Sequence, residues 1–234
     1  MIIHVYSIMW NEEYMLPYFL RHYENFCDKI FIIDDHSTDK TVEIAKNHPK
    51  VQLLQFGYSR GLNEDDFSRC FEQSYKKFSR GVADWVICVD ADELIYNPDI
   101  LGALEKARAE GKRALKTTGY TMMAKTLPSG SGQIYDECRQ GLRARGYDKE
   151  VVFDPSLDVK FSDGRHSITV GGGIKPTKAK LALLHFRYLS RDYLVERTKT
   201  IFARMDMSDE IKAYRLKRGL ATYDNNINNL ERVV

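Results

Sequence analysis

An alternation of strand-like and helix-like segments through the first hundred residues most constrains how this chain can fold. Short apolar stretches rich in β-branched residues are separated by amphipathic or capped stretches. The predicted strands are 2–9, 29–34, 51–56 and 84–90, and the predicted helices are 11–27, capped by Asn11, 35–48 and 63–79. Continuous apolar strands that alternate with helices are typical of a parallel sheet covered on both faces. The sequence therefore predicts an α/β fold.

Carboxylates follow two of these strands. Asp34 and Asp35 end the second strand, and the stretch VICVDADELI places Asp90, Asp92 and Glu93 at the end of the fourth. Such acids are ordinary where a strand stops at the surface, but burying them is costly unless a cation lies beside them. Ligands of open parallel sheets bind beyond the carboxyl ends of the strands. We therefore expect the acids, together with WNEE after the first strand, at one ligand-binding edge.

These strand ends resemble a known family. NEE, IIDDHSTDKT and DWVICVDADE, in this order over about residues 1–100, strongly resemble family 2 glycosyltransferases of the GT-A fold. The resemblance implies a Rossmann-like, mostly parallel sheet with helices on both faces, then a β-rich acceptor region and a helical C-terminal tail. It also implies a transferase that moves a sugar from a nucleotide-sugar, with a UDP-sugar as the expected donor, to a saccharide or lipid-linked acceptor.

The resemblance assigns residues to the nucleotide. Asp35, or its neighbour Asp34, would accept a hydrogen bond from an N–H of the base, and Asp90 would reach the ribose. Arg69 lies where such enzymes often carry a basic residue near the nucleotide, although a solvated helix arginine is an equal alternative. The residues expected to bind the nucleotide-sugar are Asn11, Glu12, Asp34, Asp35, Arg69, Asp90 and Ala91.

A divalent metal is the cofactor that the resemblance implies. Asp92, the last residue of a DXD motif, would bind Mn²⁺ or Mg²⁺ on the diphosphate, and oxygen ligands suit both ions. His185, in LALLHFRYL, would be a further ligand, because a late histidine commonly serves this purpose in the family. The alternative for His185 is a histidine packed in the core. The metal would stabilise the negative charge of the leaving diphosphate.

Proton transfer requires another residue. An inverting transferase needs a general base that accepts the proton of the acceptor hydroxyl. His166, in SDGRHSI, resembles a segment at the acceptor side of the family, but Ser167 stands in the place of a glutamate. Asp163, the carboxylate nearest to His166 in sequence, is therefore the first candidate, followed by Asp136 and Glu137. The predicted catalytic residues are Asp163 and His166.

The chain divides into three parts by its patterns and by the resemblance. Residues 1–97 would form the nucleotide-sugar-binding half of one GT-A domain, 98–189 the acceptor-binding half, and 190–234 a helical tail. A helix is predicted at 98–110. The later strand-like segments are 113–124, 150–155, 158–163, 166–171 and 180–189.

Composition limits the partners. The formal net charge is +2 over 234 residues without a long basic run, which argues against nucleic acid, although two short basic clusters at 139–149 and 212–219 could meet phosphates. The four cysteines lack CxxC spacing, which indicates reduced thiols. No apolar stretch approaches 18 residues, so a soluble cytoplasmic protein is expected. Because related bacterial enzymes build surface polysaccharide, the prediction includes contact with the inner face of the membrane.

Three other classes of protein share parts of this pattern. A nucleotidyltransferase would use the same nucleotide-binding sheet, but no Gly-rich phosphate loop follows IIHVYSIM. A response-regulator receiver carries DDH after its first strand, whereas here a complete strand-helix unit precedes it. A haloacid-dehalogenase phosphatase has Asp-x-Asp-x-Thr/Val on its first strand, and Leu94 stands where the threonine is expected.

Overall fold

The structure, a computed structural model, describes residues 1–57, 64–205 and 207–234, so residue 63 of the third predicted helix lies outside them. The strands are β1 (Ile3–Met9), β2 (Lys29–Asp34), β3 (Val51–Gln55), β4 (Trp85–Cys88), β5 (Glu93–Tyr96), β6 (Ala114–Met123), β7 (Gln140–Arg143), β8 (Val152–Phe153), β9 (Val159–Phe161), β10 (Ile168–Val170), β11 (Thr177–Tyr188) and β12 (Glu231–Arg232). The α-helices are α1 (Leu16–Tyr23), α2 (Thr41–Lys46), α3 (Glu64–Phe78), α4 (Ile100–Ala109), α5 (Ile134–Glu137), α6 (Arg191–Phe202) and α7 (Asp209–Asn226).

A mixed sheet of ten strands organises the molecule. Four strands, in the order β3-β2-β1-β4, run parallel, and the order reverses at β1 because β4 lies on the side away from β2. The sheet continues through β8, β6, β7 and β12. β11 pairs in parallel with β6 and antiparallel with β5. The predicted α/β fold with a mostly parallel sheet is confirmed, and β1/β4 is the switch point at which such sheets bind ligands.

Helices cover both faces of the sheet because successive side chains of a strand point to opposite sides. Ile3 and Val5 of β1 belong to one apolar core, which also includes buried residues of α1, α2 and α4. Tyr6, the residue after Val5, points to the opposite side of the sheet and belongs to a second core with Phe71 and Tyr75 of α3. The two cores explain why the parallel strands are apolar along their whole length.

The first helix is shorter than its pattern predicts. It begins at Leu16, after Met15, with Pro17 in its first turn. Asn11 does not cap it. Its backbone has φ of 52°, and its side-chain oxygen accepts a hydrogen bond of 2.7 Å from the backbone N–H of Thr38. Asn11 therefore ties the loop after β1 to the loop after β2 at the edge of the site.

The second half extends the same sheet. β5 and β7 were not predicted, whereas the segments at 158–163 and 166–171 form a separate two-stranded sheet, β9 and β10. Strands from before and after residue 97 belong to the one ten-stranded sheet. The division of the chain into functional halves at residue 97 stays a prediction. The tail forms α6 and α7, whose first turns are capped by Ser190 and Ser208. Leu194 and Tyr223 of these helices pack on Met123 of β6.

Two further properties bear on the sequence predictions. All four cysteines are free thiols, in agreement with the prediction, and all four are buried. No helix within the described ranges has the length and apolar character needed to cross a membrane.

Candidate active site

A cleft of about 730 Å³ lies beyond the carboxyl ends of the parallel strands. Its walls come from the loops after β1, β2 and β4, from the end of β11 and from the two C-terminal helices. Eight of its polar lining residues come from the sheet and its loops: Glu12, Asp35, Asp90, Asp92, Glu93, Lys149, His185 and Arg187. The strand ends therefore converge on one site, as the rule for parallel sheets predicts.

Asp35 lies at the inner wall of the cleft and is covered by an arginine from the end of α6. Arg204 Nη2 donates to Asp35 Oδ2 at 2.5 Å, and the Arg204 guanidinium lies 4.3 Å from the centre of the Trp10 ring. Arg204 Nη1 is buried and has no hydrogen-bond partner among the described residues. The planar Arg204 guanidinium thus occupies the space between Asp35 and the Trp10 ring, which we call the slot.

Asp34 has a different role from that of its neighbour. Its carboxylate accepts a hydrogen bond of 3.1 Å from the backbone N–H of Ser37, so it shapes the turn after β2 and does not line the cleft. Of the two alternatives that the sequence leaves open, only Asp35 faces the space where a base could bind.

Glu12 is held by the second arginine of α6. Arg197 donates to the Glu12 carboxylate and, at 3.1 Å, to the backbone oxygen of Asn11. Burial raises the pKa of Glu12 to about 8, against the opposing charge of Arg197. Glu12 therefore anchors α6 to the loop after β1, while the side chain of Asn11 bonds to Thr38 in the loop after β2.

Asp90 lies between two cations. Arg165 Nη2 donates to Asp90 Oδ1 at 2.7 Å, and Lys149 Nζ lies 3.5 Å from Asp90 Oδ2. Burial opposes the ionisation of Asp90, but the charges of Arg165 and Lys149 outweigh it and hold its pKa below the usual range. Lys149 also contacts Glu93 at 2.6 Å. The two cations therefore keep the Asp90 carboxylate charged at the wall of the cleft.

Asp92 and His185 meet because of a strand pairing. β11 runs antiparallel to β5 with His185 opposite Glu93, and the N–H of Phe186 donates to the backbone oxygen of Asp92 at 2.8 Å. His185 Nε2 then lies 3.2 Å from Asp92 Oδ2. Burial opposes ionisation of Asp92 and the His185 charge favours it, with a lowered pKa as the result.

The pair fits two ligands of one divalent cation. Adjacent ligands of an octahedral ion with bonds of about 2.1 Å lie about 3 Å apart, close to the observed separation. The residues described here contain no group of three or more histidine, cysteine or acidic side chains that could hold a metal ion. The remaining ligands would therefore have to come from the substrate's phosphates or from water.

The other predicted residues divide into two groups. Ala91, between Asp90 and Asp92 in sequence, lines the cleft. His166 also lines it, and its ring centre lies 5.8 Å from that of Tyr147. Asp163 is exposed and lies outside the lining. Arg69 contacts Asp66 at 2.8 Å on α3 and is also outside the lining. The structure therefore brings His166 to the cleft without Asp163.

Sequence reasoning missed most of the C-terminal contribution. Tyr193, Arg197 and Arg204, from α6 and the segment that follows it, line the cleft, and no pattern in the sequence singles them out. The sequence does give a signal for α7. The basic cluster at 212–219 is a candidate for phosphate contacts, and its Arg215 and Arg218 both line the cleft.

Comparison with known proteins identifies the class. The sequence profile of the family described as Glycosyl transferase family 2 matches residues 5–151, which confirms the resemblance and the predicted class of enzyme, a transferase. The SPbeta prophage-derived glycosyltransferase SunS of Bacillus subtilis (strain 168) is 23% identical over 163 residues. That match covers 69% of this chain but 35% of SunS, so the chain matches only about a third of the length of this relative.

Solved structures were also compared with the chain, and two of the matches have low identity and TM-scores below 0.5. The crystal structure of S. aureus TarS has a TM-score of 0.45 and 15% identity, over 97% of this chain and 44% of TarS. Glucosyl-3-phosphoglycerate synthase from Mycobacterium tuberculosis, solved with Mn²⁺, UDP and glucosyl-3-phosphoglycerate, has a TM-score of 0.39 and 18% identity. That match covers 50% of this chain and 44% of the synthase.

Proposed function

The chain belongs to glycosyl transferase family 2, and on this premise we propose that it transfers a sugar from a UDP-sugar to a saccharide or lipid-linked acceptor, with inversion. One observation carries the proposal: Asp92 and His185, 3.2 Å apart, face the same cleft as Asp35 at the switch point of the parallel sheet. A base at Asp35 and a diphosphate at Asp92 would lie along one cleft, which is the order of groups in a nucleotide-sugar.

Asp35 recognises the base in this proposal. A carboxylate accepts a hydrogen bond, and the N–H of uracil can donate one. Trp10 offers a flat aromatic face beside it. The planar Arg204 guanidinium now fills this slot, which supports the idea that a planar ring fits there once the arginine moves aside.

The diphosphate lies against the cations of the cleft floor. Lys149 and Arg165 provide positive charge beside Asp90, and a charge-assisted hydrogen bond from either would stabilise negative phosphate oxygens. Asp92 and His185 would hold Mn²⁺ or Mg²⁺. When bound, such an ion would neutralise charge that develops on the leaving diphosphate.

His166 is the proposed general base. An imidazole in its neutral form accepts a proton near neutral pH, and His166 is the one of the two predicted catalytic residues that lines the cleft. It would take the proton of the acceptor hydroxyl as the oxygen attacks the anomeric carbon. Replacing His166 by alanine should lower kcat by about 10²-fold or more, the usual contribution of such a group. A comparable loss in Asp163→Ala, with His166→Ala active, would transfer the role to that carboxylate.

Calorimetry with UDP and Mn²⁺ tests the donor site directly. UDP should bind the unsubstituted protein, and Asp35→Ala should weaken binding by about tenfold, as expected for the loss of one hydrogen bond to a charged group. Asp163→Ala removes an exposed carboxylate outside the cleft and serves as the matched control. Equal affinities of the Asp35 variant and the unsubstituted protein would contradict the base assignment. A cytoplasmic location with contact to the inner face of the membrane stays a prediction.

A further inference from the structure

Three arginines that line the cleft have no role in the site described above. Arg187 follows β11's His185 by two residues, and Arg215 and Arg218 come from α7. All three line the cleft. Among the described residues, none of them has a carboxylate within ion-pair distance, in contrast to Arg165, Arg197 and Arg204.

The charges of the cleft are therefore unbalanced. Seven lysine and arginine side chains and five carboxylates line it. Each carboxylate has a basic partner: Glu12 with Arg197, Asp35 with Arg204, Asp90 with Arg165 and Lys149, Asp92 with His185, and Glu93 with Lys149. The excess positive charge comes from β11 and α7, two elements that share an apolar cluster through Tyr188, Leu220 and Tyr223.

The arginines of α7 share one helical face. Arg215, Arg218, Gly219 and Thr222 all line the cleft, and positions separated by three, four and seven residues lie on the same side of a helix. Gly219 leaves that face open, because a Cβ built on it has no atom within 4 Å. Two guanidinium groups can therefore approach one ligand from this face.

We propose that Arg187, Arg215 and Arg218 form a subsite for a phosphate group carried by the acceptor. The inference rests on the proposed function and adds the chemical class of the acceptor to it. Guanidinium groups match the geometry of phosphate oxygens with paired N–H donors, and they stay charged at every physiological pH. The donor's diphosphate has its own cations in Lys149 and Arg165, which leaves these three arginines for a second anion.

Titration with glycerol 3-phosphate in the presence of saturating UDP tests the subsite. With the donor position filled, glycerol 3-phosphate should still bind the full chain. The double variant Arg215→Gln/Arg218→Gln should weaken that binding at least tenfold, because two charge-assisted contacts are lost, and should leave the Kd for UDP within about twofold.

A matched control separates local contacts from net charge. Lys212→Gln/Lys217→Gln removes the same two charges from α7, but neither lysine lines the cleft. This control should bind glycerol 3-phosphate like the unsubstituted protein. Equal weakening in both double variants would overturn the proposal, and so would a loss of UDP affinity in the arginine variant that matches its loss of phosphate affinity.

The source of the phosphate is distinguished by a second arm. The protein is sedimented with vesicles that contain phosphatidylglycerol, again in the presence of UDP. If glycerol 3-phosphate fails to bind but the vesicles bind, and this binding depends on Arg215 and Arg218, the phosphate belongs to a lipid. Binding of neither probe would overturn the subsite. A failure of UDP to bind the unsubstituted protein counts against the proposed function instead, and glycerol 3-phosphate without UDP then tests the arginines alone.

Discussion

Arg204, at the end of α6, covers Asp35, at the end of β2, through an ion pair of 2.5 Å that leaves the Asp35 side chain 1% exposed. The two residues are 169 positions apart in the chain. The C-terminal segment therefore covers the carboxylate that we propose as the group that recognises the base. A nucleotide can reach Asp35 only after the guanidinium has moved from the slot beside Trp10.

Removing this arginine should strengthen nucleotide binding. In Arg204→Ala the base no longer has to displace a charge-assisted hydrogen bond, so the affinity for UDP should rise by about 1 kcal/mol, roughly fivefold. Calorimetry measures the change. Arg191→Ala, which breaks an exposed ion pair with Asp224, is the matched control and should leave the affinity unchanged. Weaker binding by Arg204→Ala would mean that the guanidinium contacts the nucleotide.

Lys149 should be important for stability as well as for the site. Its side chain is buried and neutralises both Glu93 and Asp90, and their charges raise its pKa against the effect of burial. Lys149→Met should lower the free energy of unfolding by about 3–5 kcal/mol, because a carboxylate stays buried without a cation. Chemical denaturation measures the loss.

A double variant checks the cause of that loss. Replacing Glu93 together with Lys149 by methionine removes the unpaired charge and should recover much of the lost stability. Lys116→Met is a control, since Lys116 pairs with Glu150 in a partly exposed position and should cost less than about 1 kcal/mol. Similar losses in the Lys149 and Lys116 variants would contradict this account.

The buried side chain of His22 should make the free energy of unfolding depend on pH. Burial lowers its pKa to about 4 from an ordinary 6.5, despite the hydrogen bond between Nε2 and the backbone oxygen of Ile95. The unfolded chain therefore binds a proton between these two values while the folded protein does not. This histidine's contribution to the free energy of unfolding is full above pH 6.5 and is lost as pH falls to 4, by about 3 kcal/mol. In His22→Gln, urea denaturation should show a smaller loss over this window, and an identical slope would count against the assignment.

The strand ends could be predicted because their placement follows from a local rule. Asp35, Asp90 and Asp92 end parallel strands, and such ends meet at one edge of a sheet regardless of what the rest of the chain does. The family match also disfavours the receiver, phosphatase and nucleotidyltransferase alternatives, since the matched residues 5–151 include both acidic strand ends.

The partners of these acids could not be predicted, because they depend on long-range docking. His185 reaches Asp92 only because β11 pairs with β5, a strand that the pattern did not reveal. In the sequence, Arg197 and Arg204 belong to a charged helical segment with no distinguishing pattern. They meet Glu12 and Asp35 only because this segment packs over the cleft. Asp163 is the carboxylate nearest to His166 in sequence, but the turn at Asp163–Arg165 leaves it exposed outside the cleft.

The pairing of Asp92 with His185 leads to the last prediction. If both are ligands of one divalent cation, Mn²⁺ should increase the affinity for UDP in the unsubstituted protein, and EDTA should remove the increase. Asp92→Ala and His185→Ala should each abolish this difference between Mn²⁺ and EDTA while UDP still binds weakly through Asp35. Thermal melts address the alternative of a core histidine, in which His185→Ala would cost about 2–4 kcal/mol and keep the full response to Mn²⁺. Asp163→Ala, as control, should respond to Mn²⁺ like the unsubstituted protein.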